Sequence, residues 1–329
     1  MPVLERVTRA VLVRRGVESR HIDTPIARVH VYDAPGEGSR KPVVLLHGIG
    51  ASASPFAPFL SRLRKTSRRV LAIDAPGHGL SSPPRSTLDP ERLFESIMHV
   101  LDRELREPAL VVGCSLGGAM ALKYAQHAAN RVAGLVLASP GGAPVDDPHE
   151  REQFLRLFQV ENIRDAHAFL EKLHHQVPWY GPLIIPDLIQ LFKNPAVRSI
   201  LRTVRPEHFF QAGRFLSLSM PIRVLWGRSD RVIPTCCLEF SSKTCPRIRS
   251  SKSRMEGHSP HVDAPRLFMA AIHQSLDDAS KRSGECCDAD GYGQLTSSKA
   301  AGDSHCPHGN RPAQAVPPMS HRESRYPIH

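Results

Sequence analysis

The chain has 329 residues, of which 41% are hydrophobic and 23% charged, and it carries a formal charge of +11. That is enough apolar material for one large core or two modest ones, and there is no run of about 18 apolar residues to span a membrane. The basic clusters "RLRKTSRR" (62–69) and "RIRSSKSR" (247–254) are not interleaved with aromatics and belong to no nucleic-acid motif. They read as solvated surface rather than as a nucleic-acid or anionic-membrane patch.

Residues 1–19 form a basic segment in which Glu5, Arg6, Arg9, Arg14 and Arg15 interrupt short apolar runs. The continuous apolar core and small-residue cleavage site of a secretory leader are missing from it. The seven cysteines are odd in number and loosely spaced, which is no disulfide framework. A cytoplasmic protein is expected.

From residue 20 to 140 short apolar runs alternate with helical patterns. "ARVHVYDA" (27–34) alternates apolar and polar residues, as a half-buried strand does. "PVVLLHG" (42–48), "RVLAIDAPG" (69–77), "ALVVGCS" (109–115) and "VAGLVLASP" (132–140) are continuous apolar runs, suited to strands covered on both faces of a parallel sheet. Helix-length segments lie between them, at about 54–66, 90–107 and 116–128. This rhythm predicts an α/β fold.

Residues 141–219 break the rhythm with four stretches of helical spacing, "HEREQFLRLFQV", "DAHAFLEKLHHQV", "LIIPDLIQLF" and "PEHFFQAGRFLSL", and read as a helical insertion. "IRVLWGRSD" (222–230) returns to the sheet, and "APRLFMAAIHQSL" (264–276) closes the packed region, so the core spans 20–140 and 220–278. From 279 to 329 the composition turns to Gly, Ser, Pro, Asp and His with few large aliphatics, which predicts a disordered tail. "HCPH" (305–308) with Cys286 and Cys287 fits no zinc module by spacing, so neither metal nor cofactor is expected.

"VVGCSLGGAM" (111–120) holds Ser115 between Gly113 and Gly117, after a buried strand and before a helix. A G-x-S-x-G turn of this kind exposes the serine hydroxyl and places the amide of Leu116 at a helix N-terminus, facing a developing oxyanion. A phosphate loop needs Lys followed by Ser or Thr at the helix start, and a dinucleotide fingerprint needs G-x-G-x-x-G; neither is present. Asp230 lies just past a strand end, and His258 follows a glycine shortly before the last helix. Their rivals are Asp263, which comes after the histidine, and His261, which reads as loop support. Strand alternation turns Cys114 away from Ser115, into packing.

Taken in order, "LLHGIG", "DAPGHGLS", "GCSLGG", "WGRSDRVIP" and "GHSPHVDAP" resemble the serine hydrolases of the α/β-hydrolase superfamily, in the cap-bearing esterase and lipase-like branch, over about residues 20–278. The resemblance implies a mostly parallel sheet of the eight-stranded type, flanked by helices, with 141–219 as a helical cap. It implies Ser115 as nucleophile, His258 as general base and then acid, and Asp230 as its orienting partner. Ile49 and Leu116 would supply the oxyanion-hole amides, with His47 shaping the loop and "DAPGHG" (74–79) turning after the fourth strand.

The serine argues against the aspartate-dependent epoxide hydrolases and dehalogenases of this fold. Ser259 stands where carbon–carbon hydrolases place Trp, and "HGIG" is not the "HGGPG" of proline iminopeptidases. The expected reaction is hydrolysis of a small-molecule carboxylic ester with an apolar acyl chain, through an acyl-enzyme. Acyl transfer or another hydrolysis on the same fold, and a non-catalytic ligand-binding protein, are the alternatives. The polar "RIRSSKSRMEG" departs from the family's apolar last strand.

Overall fold

The computed structural model describes residues 2–211, 218–234, 237, 248–253 and 257–289. Eight strands form one sheet: β1 (Glu18–Asp23), β2 (Arg28–Pro35), β3 (Val43–Leu46), β4 (Arg69–Ile73), β5 (Ala109–Cys114), β6 (Val132–Ala138), β7 (Ile222–Gly227) and β8 (Ile248–Ser253). Their order is β1-β2-β4-β3-β5-β6-β7-β8. β1, β2 and β4 pair antiparallel, and β4 through β8 run parallel. The order reverses between β3 and β5, and the crevice beyond strand carboxyl ends at such a reversal is where open sheets bind ligands.

The apolar runs become strands because both faces are covered. Successive residues of β3 alternate between two cores, Val44 and Leu46 in one, Val43 and Leu45 in the other. On the first face lie α3 (Pro90–Glu104) and α4 (Leu116–His127), through Leu93, Ile97, Leu101, Met120 and Tyr124. On the second lie α2 (Ala57–Leu63) and the last helix, through Phe59, Leu60, Phe268 and Ile272. Asp89 caps α3 by accepting from Arg92 N, and Pro90 occupies the first turn.

Three boundaries differ from the sequence expectation. Residues 2–14 form a helix, α1 (Pro2–Arg14), whose Leu12 is buried in the second core while Val7, Val11 and Val13 stay exposed. β2 is buried through all but its end residues rather than on one face, because β1 and β4 flank it and Val31 and Tyr32 each enter a core. The last helix runs from Pro265 to Ala289, past the expected start of the tail at 279, since Ser280 to Glu285 carries no proline to stop it. Residues 290–329, including "HCPH", lie outside the described residues.

Between β6 and β7 stand α5 (Pro148–Arg156), α6 (Ile163–Leu173), α7 (Gly181–Lys193) and α8 (Pro195–Thr203). Part of the fourth predicted helical stretch, 212–217, lies outside the described residues; its start forms a short 3-10 turn at Pro206–His208. The polar stretch before His258 does form a parallel edge strand, β8. A one-turn helix, α9 (Pro260–Asp263), follows His258, and α10 (Pro265–Ala289) is the last helix among the described residues. Among the described residues no helix is long and apolar enough to cross a membrane.

Candidate active site

Ser115 stands between β5 and α4 with φ 52° and ψ −118°, a left-handed conformation rare for a residue with a side chain. The flanking glycines make the turn possible by close approach. A Cβ on Gly113 would lie 2.3 Å from Gly117 O, and one on Gly117 would lie 2.3 Å from Leu46 O. The backbone of the turn is tied down by Ser115 N donating to Ala138 O at 2.9 Å, and by Gly141 N donating to Ser115 O at 2.9 Å.

Asp230 follows β7 and His258 follows β8, so both reach the sheet edge that carries Ser115. His258 Nδ1 is 3.0 Å from Asp230 Oδ2, and the aspartate side chain is fully enclosed. Asp230 Oδ1 accepts from the amides of Val232 (2.9 Å) and Ile233 (3.1 Å). Burial pushes the Asp230 carboxyl up, but His258 and these two amides outweigh it and hold the group below the ordinary carboxylate value. A carboxylate on Nδ1 makes Nδ1 the donor and leaves the Nε2 lone pair available. Among the described residues neither Ser115 Oγ nor the second nitrogen of His258 has a hydrogen-bond partner; such contacts often tighten only with substrate bound.

The residues whose amides are expected to bind an oxyanion share a cavity with the serine. Ile49 and Leu116 line one cavity with Ser115, and no described residue accepts from either N–H. His47 takes the shaping position: its Nδ1 lies 2.7 Å from Gly48 O and its Nε2 accepts from Ala75 N at 2.9 Å. Burial pushes its pKa down, keeping it neutral.

The rivals go elsewhere. His261 packs against Phe56 and Phe268, 3.7 Å from Cys114 Sγ, and burial lowers its pKa to about 4. Cys114 is buried in the second core and its thiol is pushed up to about 12, so it is no thiolate at neutral pH. Asp263 pairs with His174 at 2.6 Å and accepts from Gly257 N at 2.7 Å.

That last pair belongs to a seam that sequence reasoning missed. At the end of α6, Leu173 O accepts from His258 N at 2.8 Å, and His175 Nδ1 meets Ser229 Oγ at 2.7 Å. Both loops carrying the His–Asp pair are thus bonded to one helix end. Two adjacent histidines closing a helix in "LHHQV" were the visible signal. Also missed were the fully enclosed pair His30–Asp74 (2.8 Å), whose aspartate accepts from Ala53 N and Leu80 N, and Glu5 of α1, which accepts from Ser52 and Ser54 beyond the Ile49 loop.

The cavity, about 110 Å³, is walled on the far side by Phe154, Phe158, Ile200, Leu201 and Phe210. Lys123 and His208 also line it.

The model of the alpha/beta hydrolase family matches residues 43–271. Abhydrolase domain-containing protein abhd-5.2 of Caenorhabditis elegans is 37% identical over 261 residues, 74% of this chain and 57% of its own. The dihydrolipoyllysine-residue acetyltransferase component of the acetoin cleaving system of Pseudomonas putida is 29% identical over 228 residues, 62% of this chain and 55% of its own. The chain therefore spans little more than half the length of these two relatives. Among solved structures, a bacterial membrane phospholipase A superposes with a TM-score of 0.73 at 21% identity, over 85% of this chain and 92% of that one. Naproxen esterase from Bacillus subtilis gives 0.66 at 19%, over 83% and 96%. At those identities the structures share the fold.

Proposed function

The chain belongs to the alpha/beta hydrolase family, and from that premise we propose that it is a serine hydrolase cleaving carboxylic esters with an apolar acyl portion. The observation that carries the reading is the buried His258–Asp230 pair at 3.0 Å, on the sheet edge where Ser115 is held at positive φ above an apolar cavity. A serine hydroxyl is a weak nucleophile until a base takes its proton. His258, oriented by Asp230, takes it as Ser115 Oγ attacks the ester carbonyl. The oxyanion rests on the amides of Ile49 and Leu116, a contribution of about 3 kcal/mol per donor in comparable sites. His258 then protonates the leaving alcohol, and water repeats the sequence to release the acid.

In this reading α5–α8 act as the cap over the pocket, and their apolar side chains take the acyl chain. Acyl transfer to an acceptor other than water is a second reading, favoured by the acetyltransferase component among the relatives. It shares every step up to the acyl-enzyme.

The test is turnover of p-nitrophenyl esters from acetate to palmitate by wild type and Ser115→Ala, with products analysed in the presence of alcohols. Turnover that vanishes in the variant is expected. Equal rates in both proteins would remove Ser115 from the mechanism. Binding without turnover, and without labelling of Ser115 by a fluorophosphonate, would make the protein a ligand binder.

A further inference from the structure

One helix joins the two ends of the cavity. Leu116, Ala119, Met120 and Lys123 all line it; their i, i+3, i+4, i+7 spacing is one stripe of α4. The stripe begins at the Leu116 amide and reaches Lys123 roughly 10 Å further along the axis. Among the described lining residues only Ser115, Lys123 and His208 carry side-chain nitrogen or oxygen; the rest is apolar. The pocket therefore has a reactive end and a cationic end with hydrocarbon between.

The two polar groups at that end share a carboxylate that lies just outside the cavity, and the Lys123 ammonium also stands 5.4 Å from the centre of the Phe94 ring. His208 Nε2 lies 2.6 Å from Glu91 Oε2, and Lys123 Nζ lies 3.8 Å from Glu91 Oε1. His208 Nδ1 accepts from Arg205 N at 2.7 Å, which fixes the tautomer so that Nε2–H donates. Glu91 itself is outside the pocket, in the first turn of α3, with 56% of its side chain exposed, against 13% for His208 and 23% for Lys123. An ion pair exposed to that degree contributes little, so its carboxylate can turn to water at small cost. A ligand carboxylate in its place would meet the same donors, at the end of the α4 stripe away from Ser115.

We propose that this site takes esters whose acyl chain ends in an anionic group, bound by Lys123 and His208 in the place of Glu91. The proposal rests on the serine-hydrolase reading and names its substrate class: monoesters of dicarboxylic acids. The reaction balances as ester plus water. Ser115 Oγ bonds to the ester carbonyl carbon as the carbon–oxygen bond to the alcohol breaks, and His258 carries the serine proton to the alcohol. Water then releases the second carboxylate.

The experiment pairs mono-p-nitrophenyl esters of the dicarboxylic acids from succinate to sebacate with the p-nitrophenyl esters of the monocarboxylic acids of equal length. The readout is the ratio of kcat/KM within each pair. In wild type the ratio should exceed one at a preferred length, and Lys123→Met should cut it roughly tenfold or more, the worth of one charge-assisted hydrogen bond. Glu91→Gln should leave the ratio unchanged or raised. A ratio below one at every length, or an equal ratio in Lys123→Met, overturns the proposal. So does a collapse in Glu91→Gln, which would make Glu91 the recognising group. A calorimetric arm measures binding of non-hydrolysed monomethyl esters to Ser115→Ala with and without Lys123→Met. Loss of binding in the double variant supports the anion site even where turnover is absent, and equal binding sinks it. Absence of fluorophosphonate labelling in wild type strikes the hydrolase reading alone.

Discussion

At the carboxyl edge of the sheet the polar groups around the His–Asp pair are tied. Asp230 accepts from two amides and His258, His47 is bonded on both nitrogens, and Asp74 holds His30 and the amides of Ala53 and Leu80. Across the pocket the construction is looser. α5 has no fully buried residue, and Trp179, Leu183 and Ile163 are 86%, 73% and 64% exposed. The helical segment joins the sheet half through Ala166, Leu170 and Val197, which share the first core, and through separate polar seams, His174–Asp263, His175–Ser229 and Asn194 Nδ2 to Gly77 O. Under the proposed reaction, the reacting groups need placement within fractions of an ångström, whereas an apolar acyl chain needs only a wall of the right depth. The two halves differ as those demands differ.

The comparison breaks most visibly at Asp230. Asp230→Asn should lower kcat by about 10³ to 10⁴-fold, because an amide no longer fixes the His258 tautomer; circular dichroism should be unchanged. Retained activity would mean the pair is only structural. Gly117→Ala drives a methyl group against Leu46 O, and should destabilise the protein by on the order of 3 kcal/mol or more in urea unfolding. An unchanged midpoint would show that the turn can relax.

Asp263→Ala tests the seam. It leaves His174 buried without its partner and frees Gly257 N and His175 N. A loss of about 3 kcal/mol is expected, with kcat falling more than KM rises, since His258 sits on the loosened loop. A rise in KM alone would place the seam's effect in the pocket wall instead.

The tied half should also be the acid-sensitive half. Burial lowers His78 and His261 from 6.5 to about 4. The unfolded chain therefore binds more protons between those values, and stability is lost as pH falls from about 6.5 towards 4, by a few kcal/mol in total. Asp33, Glu104 and Asp230 are held below their ordinary values, so their contribution persists above the carboxylate range and is lost below it. Melting temperatures from pH 7 to pH 4 should fall throughout, and His261→Phe should flatten the first part of the fall; a flat profile in wild type refutes the assignment. At the other extreme, Leu183→Ser on the loose half should change stability by no more than about 0.5 kcal/mol, and a larger loss would show that α7's outer face is covered in solution.

Much of the sheet half was legible in the sequence because its signals are local. Continuous apolar runs ending in turns marked β3 to β7, and the glycines around Ser115 marked the sharp turn, since only glycine fits where backbone meets backbone. α1 was not legible, because its four charged residues outweighed its apolar ones, and the burial of Leu12 depends on the core it meets. Nor was β2's full burial, which follows from having a strand on each side. The pairing of His258 with Asp230, and the choice against Asp263, were expected from chain order and the family resemblance, while the work Asp263 does instead, in the seam to α6, was not legible.

The sequence by itself determined the alternation of strands and helices, the turn that exposes Ser115 and the residue types available to act with it, because backbone sterics and hydrophobic periodicity operate over a few residues. Only the tertiary structure decided that Asp263 meets His174, where α6 grips the His258 loop, and that Lys123 lines the same apolar cavity as Ser115. Those contacts join residues tens of positions apart, and their energies depend on burial, which no local pattern specifies.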